Sequence, residues 1–251
     1  MLAPDNPRAL ALRRQFRRIP SPPRCKMCHA PFGGIGGFVL KPWFGPWEKN
    51  PQLCKACIGG LVKNGPGGAE VEISLLFADI RGSTTMGEHL RPTEFSALLH
   101  AFYRIAAAAI AEHEGVVDKF VGDEAIGLFI PGFAGRDHAA KAISAGRALL
   151  AAVGRRDAST SGPIPVGAGI HTGIAYVGSV GASGEISDFT ALGDVVNSTA
   201  RLASLAAAGE LLVSTVAASH AELVADGLER RAVDVRGRDE GLEVLVIHPA
   251  A

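Results

Sequence analysis

Two acidic residues of this 251-residue chain have surroundings suited to holding divalent cations beside a phosphate. Asp79 follows a largely apolar run and precedes a glycine-containing turn, within residues 77–84 (FADIRGST). Asp123 closes the segment 119–123 (KFVGD), between two short apolar runs. Carboxylates bind Mg²⁺ or Mn²⁺, and a turn with free backbone N–H groups can bind phosphate. Each aspartate alone is more typical of an ordinary turn, but if their strands are neighbours in a sheet the two can share metal ions.

A third segment supplies an amide and a guanidinium at a spacing that places them on one face of a helix. Asn197 and Arg201 are four residues apart in residues 193–201 (GDVVNSTAR). An amide can orient a ribose, and a guanidinium can offset the charge that builds up during phosphoryl transfer. Neither residue is specific by itself, because exposed Asn and Arg at this spacing are common on helices.

Strands and helices alternate from residue 71 onward, and these elements must position the polar residues. The apolar run 71–78 predicts a buried strand. Pro92 is expected to begin a helix whose apolar residues recur at intervals of three and four residues. Residues 116–121 and 125–130 predict a hairpin. The remaining expected elements are a helix over 136–153, two strands divided at Thr172-Gly173, a helix near 194–206, a short strand and helix, and two closing strands. This order predicts an α/β (α+β) fold with a mixed sheet covered by helices.

All four cysteines lie before residue 58, in the pairs Cys25-x-x-Cys28 and Cys54-x-x-Cys57. With no export signal ahead of them, metal ligation is expected rather than disulfide bonds. Four thiolates suit tetrahedral Zn²⁺, which we favour; they also hold iron–sulfur clusters, which would make the segment a redox sensor. The stretch between the pairs, with PFGGIGG and PWFGPW, is expected to form a glycine-rich excursion.

The zero net charge conceals two oppositely charged segments. Residues 1–68 contain eleven Lys and Arg against two Asp and Glu, whereas residues 69–251 contain fourteen against twenty-three. We therefore divide the chain into a basic N-terminal four-cysteine module (1–68) and an acidic main domain (69–251), with a flexible linker over 59–69 (GGLVKNGPGGA). The neutral overall charge argues against binding of nucleic acid by the whole chain.

The N-terminal end of the module is rich in arginine and predicts a short helix over residues 7–18. Docking of this helix on the chain's own acidic domain is the favoured expectation; nucleic acid and an anionic membrane surface are the alternatives. No run approaches the roughly 18 consecutive apolar residues of a membrane-spanning helix, and no apolar run follows the arginines as in a secretory signal. A cytoplasmic protein without a transmembrane segment is expected.

Together, and in this order, FADIRGST, KFVGDEAIGLF, GIHTG and GDVVNSTAR resemble the catalytic domain of the class III nucleotidyl cyclases. The resemblance covers about residues 71–248. It implies a ferredoxin-like mixed sheet flanked by helices, and an adenylyl cyclase that converts ATP into 3′,5′-cyclic AMP and pyrophosphate. The N-terminal four-cysteine module would then either regulate this activity, as a sensor or docking module, or only aid dimerisation.

The resemblance also implies roles for the polar residues of the three segments. Asp79 and Asp123, with the backbone carbonyl of Ile80, would bind two Mg²⁺ or Mn²⁺ ions. Asn197 would orient the ribose, and Arg201 would stabilise the pentavalent transition state. The phosphates would be contacted by a turn of three residues, Gly82, Ser83 and Thr84.

Three further residues concern the base and the triphosphate. Lys119 matches the family's purine-recognising lysine, which favours adenine over guanine. Thr190 stands where many adenylyl cyclases carry an aspartate; its hydroxyl both donates and accepts, so it discriminates less sharply. Arg236 falls where the family usually has a triphosphate-binding lysine, and although the charge is kept, Arg and Lys are not interchangeable. ATP is the expected substrate, with relaxed ATP/GTP specificity as the alternative.

The family's head-to-tail homodimer would place the two aspartates of one subunit opposite Lys119, Thr190, Asn197 and Arg201 of the other. Two equivalent composite sites are then expected, and a monomer should be inactive. One rival is a catalytically silent cyclase fold that senses nucleotide or binds partners. Another is a GGDEF-type diguanylate cyclase, suggested by VGDEA at 121–125. Both are disfavoured because they leave Arg201 without a role.

Two nearby titratable residues are expected to carry no chemistry. His171, in an apolar strand, should pack in the core or at an interface. Glu124, at the hairpin, should be solvated.

Overall fold

The computed structural model describes residues 2–19, 21–48, 50–63, 67–155, 162–182, 186–234 and 241–248. The elements in these ranges are α1 (Pro7–Arg17), α2 (Gly34–Phe44), α3 (Lys55–Lys63), β1 (Gly68–Ile80), α4 (Ser83–His89), α5 (Pro92–Glu112), β2 (Val116–Val121), β3 (Glu124–Phe129), α6 (Pro131–Ala134), α7 (His138–Gly154), β4 (Val166–Ala182), β5 (Ile186–Leu192), α8 (Asp194–Leu205), β6 (Leu211–Ser214), α9 (Thr215–His220), β7 (Glu229–Val233) and β8 (Leu242–Ile247). Among the described helices, none combines the length and the apolar character needed to cross a membrane.

The chain divides into two compact units, each assembled from segments that are far apart in the sequence. The first unit comprises Met1–Glu72, Ile130–Arg136 and Ile174–Gly193. The second comprises Ile73–Phe129, Asp137–Gly173 and Asp194–Ala251. The first unit therefore contains the whole cysteine segment together with α6 and the hairpin formed by β5 and the end of β4.

Seven strands follow one another across a single mixed sheet in the order β2-β3-β1-β4-β6-β8-β7, and β5 pairs with β4. Strand β3 is antiparallel to both β1 and β2, whereas β4 and β6 are parallel. The edge formed by β6, β8 and β7 is antiparallel. The mixed sheet predicted from the element order is confirmed, and the predicted hairpin corresponds to β2 and β3.

Helices cover both faces of the sheet in the second unit. Ile170 of β4 faces α7, where a Cβ added at Gly146 would lie 3.2 Å from the Ile170 side chain. The neighbouring Gly169 faces α8, where its own Cβ would lie 2.4 Å from the backbone nitrogen of Ala203. Since successive residues of a strand point to opposite faces, α7 and α8 lie on opposite sides of the sheet. The prediction of a sheet flanked by helices is therefore confirmed.

Strand β4 corrects the expectation of two strands divided at Thr172-Gly173. It runs unbroken from Val166 to Ala182, over 17 residues. A Cβ at Gly173 would lie 3.3 Å from a methyl carbon of Val195 in α8. The glycine therefore allows α8 to pack closely on the strand, and it does not form a turn.

The described part of the N-terminal module contains the helices α1, α2 and α3, whereas the sequence predicted only the first of them. α1 matches the helix expected over 7–18, and Asn6 caps it by accepting a hydrogen bond from the backbone N–H of Ala9 at 3.1 Å. α2, however, replaces the expected glycine-rich excursion. The glycines of α2 lie inside the helix, where they permit close packing. A Cβ at Gly37 would lie 2.4 Å from the backbone of Phe32.

The expectation of a flexible linker over 59–69 is wrong at both ends, where the structure has a helix and a strand. α3 continues through Lys63 and β1 begins at Gly68, while residues 64–66 lie outside the described residues. Cys57 in the first turn of α3 is buried, and the helix continues through its glycines although each costs about 1 kcal/mol relative to alanine in a helix interior. At Gly68 a Cβ would lie 2.4 Å from the carbonyl oxygen of Val177, so this glycine serves a close backbone crossing.

Candidate active site and metal centre

Asp79 and Asp123 come together at one end of the β1–β3 pair. In this antiparallel pair Asp79 is the partner of Glu124, and Asp123 lies in the turn directly before it. The turn depends on Gly122, whose φ of 60° lies in the left-handed region. The carbonyl of Asp123 accepts a hydrogen bond from the backbone N–H of Ile80 at 3.2 Å. The two strands are thus neighbours, which was the condition for the aspartates to share metal ions; their role as ligands stays a prediction.

The two carboxylates also interact electrostatically. Burial raises the pKa of Asp79 from 3.8 to about 6; the Arg81 guanidinium opposes this rise, while the hydrogen bond with Asp123 and the charge of that carboxylate add to it. Two acidic groups held this close favour either a shared proton or a bound cation. The pair is therefore a suitable ligand set for a divalent metal.

Glu124 adds a third carboxylate to this cluster, and the expectation of a solvated hairpin residue is wrong. Its side chain is half-buried, and burial together with the charges of Asp79 and Asp123 raises its pKa to about 7. The hairpin register is the signal that could have indicated this position. With a two-residue turn at 122–123, Glu124 begins β3 directly opposite Asp79.

Arg81 supplies a positive charge to the same cluster, although the sequence pattern assigned it no role. Its guanidinium forms an ion pair with the carboxylate of Asp79, and its Nε donates to the Asp79 carbonyl at 3.4 Å. A further guanidinium nitrogen donates to the carbonyl of Ser204 in α8 at 2.9 Å. Arg81 thereby connects the carboxylate end of β1 with the C-terminal end of α8.

The turn after β1 borders these carboxylates. Gly82, with a φ of 71°, precedes α4, and the hydroxyl of Ser83 donates a hydrogen bond to the carboxylate of Asp123. An open cavity of about 250 Å³ adjoins the turn and is lined by Ser83, Thr84, Gly87, Phe95, Leu99, Gly122 and Asp123. The three residues predicted to contact phosphate thus lie at or beside a cavity that includes one of the carboxylates.

Asn197 and Arg201 lie on the exposed face of α8. The opposite face of the helix is buried. Its residues are spaced mainly at intervals of three and four, and they are Val195, Ser198, Thr199, Leu202 and Ala203. The Nε of Arg201 donates to the backbone carbonyl of Asp234 at 3.4 Å. Within the part of the chain that the structure describes, no hydrogen bond or ion pair links Asn197 or Arg201 to the two aspartates. The predicted shared face is confirmed, and the chemical roles stay predictions.

The residues predicted to recognise the base and the triphosphate come from separate parts of the chain. Lys119 is in β2, with its side chain 40% exposed and its Nζ 3.8 Å from the carboxylate of Asp118. Thr190 is buried in β5 opposite Gly178 and belongs to the first unit, whereas Lys119 belongs to the second. Arg236 lies outside the described residues.

His171 is a packed core residue, as expected. It is buried, and its Nδ1 lies 2.8 Å from the hydroxyl oxygen of Ser214, which is also buried.

The four cysteines converge on one point in the first unit. All four are buried free thiols, and their Sγ atoms all lie within 4.8 Å of one another. The Sγ atoms of Cys28 and Cys54 are 3.7 Å apart. Four sulfur donors in one buried cluster match the ligand set of a structural zinc site.

Hydrogen-bond donors surround these sulfurs. The backbone N–H of Cys54 donates to the Sγ of Cys25 at 3.3 Å, that of Cys57 to the Sγ of Cys54 at 3.4 Å, and that of Ala30 to the Sγ of Cys28 at 3.5 Å. Such donors stabilise the thiolate, which is the form that binds a metal.

A mixed sheet flanked by helices, an aspartate pair where two of its strands meet, and an Asn and an Arg on one exposed helix face are the features expected of the catalytic domain of a class III nucleotidyl cyclase. The chain belongs to the family described as the adenylate and guanylate cyclase catalytic domain, whose model matches residues 68–248. The four cysteines precede that match.

Curated relatives share this domain. Adenylate cyclase 1 of Rhizobium meliloti is 36% identical over 138 residues, which are 52% of this chain and 20% of that protein. The adenylate cyclase of Anabaena cylindrica is 31% identical over 182 residues, 68% of this chain and 36% of that protein. An uncharacterised protein of Mycobacterium tuberculosis is 34% identical over 181 residues, 69% of this chain and 32% of that protein. The chain thus spans between a fifth and just over a third of the length of these relatives.

Solved structures of both nucleotide specificities resemble the fold. The guanylyl cyclase Cya2 matches with a TM-score of 0.67 and 26% identity, covering 74% of this chain and 95% of that one. The adenylyl cyclase CyaB from P. aeruginosa matches with a TM-score of 0.62 and 27% identity, covering 72% of this chain and 95% of that one. Because one of these structures is described as a guanylyl cyclase and the other as an adenylyl cyclase, the similarity establishes the family and does not distinguish ATP from GTP.

Proposed function

We propose that this protein is an adenylyl cyclase that converts ATP into 3′,5′-cyclic AMP and pyrophosphate. The observation that carries the proposal is the placement of Asp79 and Asp123 at the same end of the β1–β3 pair, where the backbone N–H of Ile80 donates to the Asp123 carbonyl, in a chain that belongs to the cyclase family. In this reaction the ribose 3′-oxygen attacks the α-phosphorus and loses its proton. The bond from the α-phosphorus to the bridging oxygen breaks, and pyrophosphate leaves.

The carboxylates of Asp79 and Asp123 and the backbone carbonyl of Ile80 are proposed to hold two Mg²⁺ or Mn²⁺ ions. Oxygen donors suit both metals, and the raised pKa of Asp79 supports the need for a positive charge at this position. When bound, such ions would activate the ribose hydroxyl and neutralise charge on the triphosphate.

The other polar residues are assigned to the nucleotide. The turn at Gly82, Ser83 and Thr84 would donate hydrogen bonds to phosphate, supported by the cavity it adjoins. Asn197 would orient the ribose, and Arg201 would offset the charge on the pentavalent phosphorus. Arg236 is proposed to bind the triphosphate.

We propose that the complete site forms in a head-to-tail homodimer. Asn197 and Arg201 face solvent on α8, and among the described residues no hydrogen bond or ion pair joins them to the aspartates of the same chain. A second copy would bring its own α8 and its own Lys119 and Thr190 to the aspartates of the first. Symmetry then produces two equivalent sites.

ATP is the proposed substrate because Lys119 is a donor without acceptor capacity. Adenine N1 accepts a hydrogen bond, whereas guanine N1 carries a proton and would face the ammonium group unfavourably. The hydroxyl of Thr190 donates and accepts, so it serves either purine. Relaxed use of GTP beside ATP is the alternative.

The test is a cyclase assay on the full chain with Mn²⁺ and either ATP or GTP, with Asp79→Ala as the matched variant. Cyclic AMP is expected from the unmodified protein, with a loss of about 10²-fold or more in the variant, as for removal of a group that stabilises the transition state. Faster formation of cyclic GMP would assign the protein to guanylyl cyclases. No cyclic nucleotide from either substrate would contradict the enzyme proposal and favour a silent nucleotide-sensing or partner-binding module.

For the cysteine cluster we propose a single, tetrahedrally bound Zn²⁺. A Zn–S distance of about 2.3 Å places tetrahedral sulfurs about 3.8 Å apart, close to the 3.7 Å between Cys28 and Cys54. An iron–sulfur cluster of the cubane type binds each thiolate to a different iron and so spreads the sulfurs further apart. A colourless protein with one zinc per chain is expected; visible absorption with bound iron would contradict the proposal.

We also propose that the four-cysteine module regulates the cyclase, and Arg13 of α1 provides the first contact. Its guanidinium donates to the carbonyl of Met27 at 3.0 Å and to that of Lys26 at 3.3 Å, both inside the first CxxC loop. The same side chain donates to the carbonyl of Gly132 in α6. Arg13 therefore bonds the metal-binding loop to a segment of the cyclase domain within the first unit.

The contact continues from α6 to the strand that carries Thr190. Phe133, next to Gly132, stacks on Phe189 with ring centroids 6.4 Å apart. Phe189 directly precedes Thr190 in β5. A change in the cysteine loop therefore has a packed route to the residue proposed to contact the base, and coupling along it is open to mutational test.

A further inference from the structure

Helix α2 presents its large apolar residues to solvent. Ile35 and Phe38 are 85% and 83% exposed, and Val39 and Trp43 are 58% and 65% exposed. Their positions, three, four and eight residues along from Ile35, place them in one stripe on the helix. The stripe of Ile35, Phe38, Val39 and Trp43 is called the α2 stripe below. Contiguous exposed apolar side chains of this kind mark a binding surface.

The small residues of α2 face the protein instead. A Cβ at Gly33, which caps the helix, would lie 2.4 Å from the carbonyl oxygen of Pro22, and one at Gly37 would lie 2.4 Å from the backbone of Phe32. Any rotation that buried the α2 stripe would give up these backbone contacts. The packing of the module therefore holds the stripe outward.

An open cleft extends the apolar surface beyond the stripe. It has a volume of about 630 Å³ and is lined chiefly by Ile19, Ile35, Val39 and Leu40. The proposed cyclase chemistry uses none of these residues.

Basic residues adjoin this apolar surface. Lys41 is exposed within α2, and the exposed Arg17 and Arg18 directly precede Ile19, which lines the cleft. Residues 1–68 as a whole contain eleven basic against two acidic residues. The surface thus combines aliphatic side chains, an exposed tryptophan and an excess of positive charge.

We propose that the α2 stripe docks on the surface of an anionic lipid bilayer. The aliphatic and aromatic side chains would enter the boundary between headgroups and acyl chains, and the basic residues would contact the anionic headgroups. Trp43 suits this boundary because tryptophan is enriched there. The eleven-residue helix is about 16 Å long, too short for a hydrocarbon core of about 30 Å, so it would lie in the plane of the surface.

Charge favours the bilayer over two other occupants. A second copy of the module would bring an equally basic surface against the first, and like charges repel. Nucleic acid would satisfy the basic residues but would leave the aliphatic Ile35 and Val39 without an apolar partner. An anionic bilayer satisfies both properties at once.

The test uses the full chain loaded with Zn²⁺ and vesicles of equal parts phosphatidylglycerol and phosphatidylcholine, with phosphatidylcholine alone for comparison. Trp47→Phe leaves Trp43 as the single tryptophan of the chain. We expect the protein to sediment with the anionic vesicles, the Trp43 emission to shift to shorter wavelength, and high salt to weaken the binding.

Phe38→Asp removes the centre of the α2 stripe, and Val224→Asp is the matched control. Val224 is 74% exposed and belongs to the second unit. Phe38→Asp should reduce vesicle binding about tenfold or more, while Val224→Asp should leave it within about twofold. Since both side chains are exposed, both variants should fold, and unchanged zinc content and circular dichroism verify this.

Three results would overturn the proposal. The first is equal binding to both kinds of vesicle, or equal loss in the two variants. The second is self-association that Phe38→Asp abolishes while the vesicles stay unbound, which would assign the α2 stripe to a second copy of the chain. The third is no vesicle binding and no shift of the Trp43 emission with the anionic vesicles.

Discussion

The guanidinium of Arg81 pairs with the carboxylate of Asp79, two residues before it in the chain, and also donates to the carbonyl of Ser204 at 2.9 Å. One side chain thus connects the strand that carries a proposed metal ligand with the helix that carries Asn197 and Arg201. A bound divalent cation and this guanidinium would compete for the same carboxylate. That competition makes the role of Asp79 measurable without an activity assay.

We expect Arg81→Gln to lower the free energy of unfolding of the metal-free protein by about 1 kcal/mol at neutral pH, because it leaves a half-buried acidic cluster without a positive partner. Mn²⁺ should shrink this loss, since the cation replaces the missing charge. Urea unfolding with and without Mn²⁺ measures both effects. Arg91→Gln is the control, because the pair of Arg91 with Glu94 is exposed and should matter little. An equal loss in both conditions would refute the competition.

Mixing two inactive variants tests the composite site. Asp79→Ala and Arg201→Ala would each inactivate both sites of their own homodimer. Random exchange of subunits makes half of the dimers mixed, and each mixed dimer keeps one intact site, so about a quarter of the unmodified activity should return. Cyclic nucleotide formation in the mixture measures this. No recovery, with dimers shown to exchange subunits, would place the complete site within one chain.

Lys119→Glu should change the choice of purine. A carboxylate accepts from guanine N1–H and cannot donate to adenine N1, so kcat/KM for ATP should fall about tenfold or more, with the ATP:GTP ratio moving toward GTP. Thr190→Val should lower kcat/KM for ATP and GTP alike, because the hydroxyl serves either purine, whereas Thr190→Ser retains the hydroxyl and should behave like the unmodified protein. An unchanged ATP:GTP ratio in Lys119→Glu would remove Lys119 from base recognition, and unchanged kcat/KM for both nucleotides in Thr190→Val would remove Thr190.

Arg13→Gln should uncouple the four-cysteine module from β5. The variant loses the bonds from the CxxC loop to Gly132, so we expect a several-fold change in KM for the nucleotide with zinc content unchanged. Arg14→Gln is the matched control, because Arg14 is its exposed neighbour on α1. Identical kinetics for the two variants would show that the contact has no regulatory effect.

The bond between Glu210 and Arg231 should make stability depend on acid pH. Arg231 donates to both carboxylate oxygens of Glu210 at 3.1 Å and holds the pKa of that carboxyl below its usual 4.5. The stabilisation is therefore complete above about pH 4.5 and is lost as the pH falls through the lowered pKa. Glu210→Gln should cost about 1 kcal/mol at neutral pH, with the difference from the unmodified protein vanishing in acid.

Urea unfolding over this pH range measures the effect. The control is Glu229→Gln, which removes the other, more exposed carboxylate bonded to Arg231 and should cost less. A cost for Glu210→Gln that stays constant down to the most acid pH would contradict the assignment.

Local pattern predicted the elements that carry the polar residues. The hairpin around Asp123 and the face shared by Asn197 and Arg201 follow from turn chemistry and helical spacing, which involve residues close in the sequence. The glycines were predicted poorly for the opposite reason. Gly37 and Gly173 were expected to break elements, yet each lies within one: a Cβ at Gly37 would collide with the backbone of Phe32, and one at Gly173 would lie tightly against Val195 of α8. Which segment packs against a glycine depends on the tertiary fold.

The sequence by itself determined the chemical groups of this protein: the two aspartates, the Asn and Arg of α8, and the four cysteines, together with the family they indicate. Residue type and local spacing suffice for that, because chemistry belongs to the side chain. Only the tertiary structure decided that Glu124 and Arg81 join Asp79, and that α2 turns its apolar stripe to solvent. Strand pairing and backbone contacts at glycines choose which distant groups become neighbours, and no local pattern contains that information.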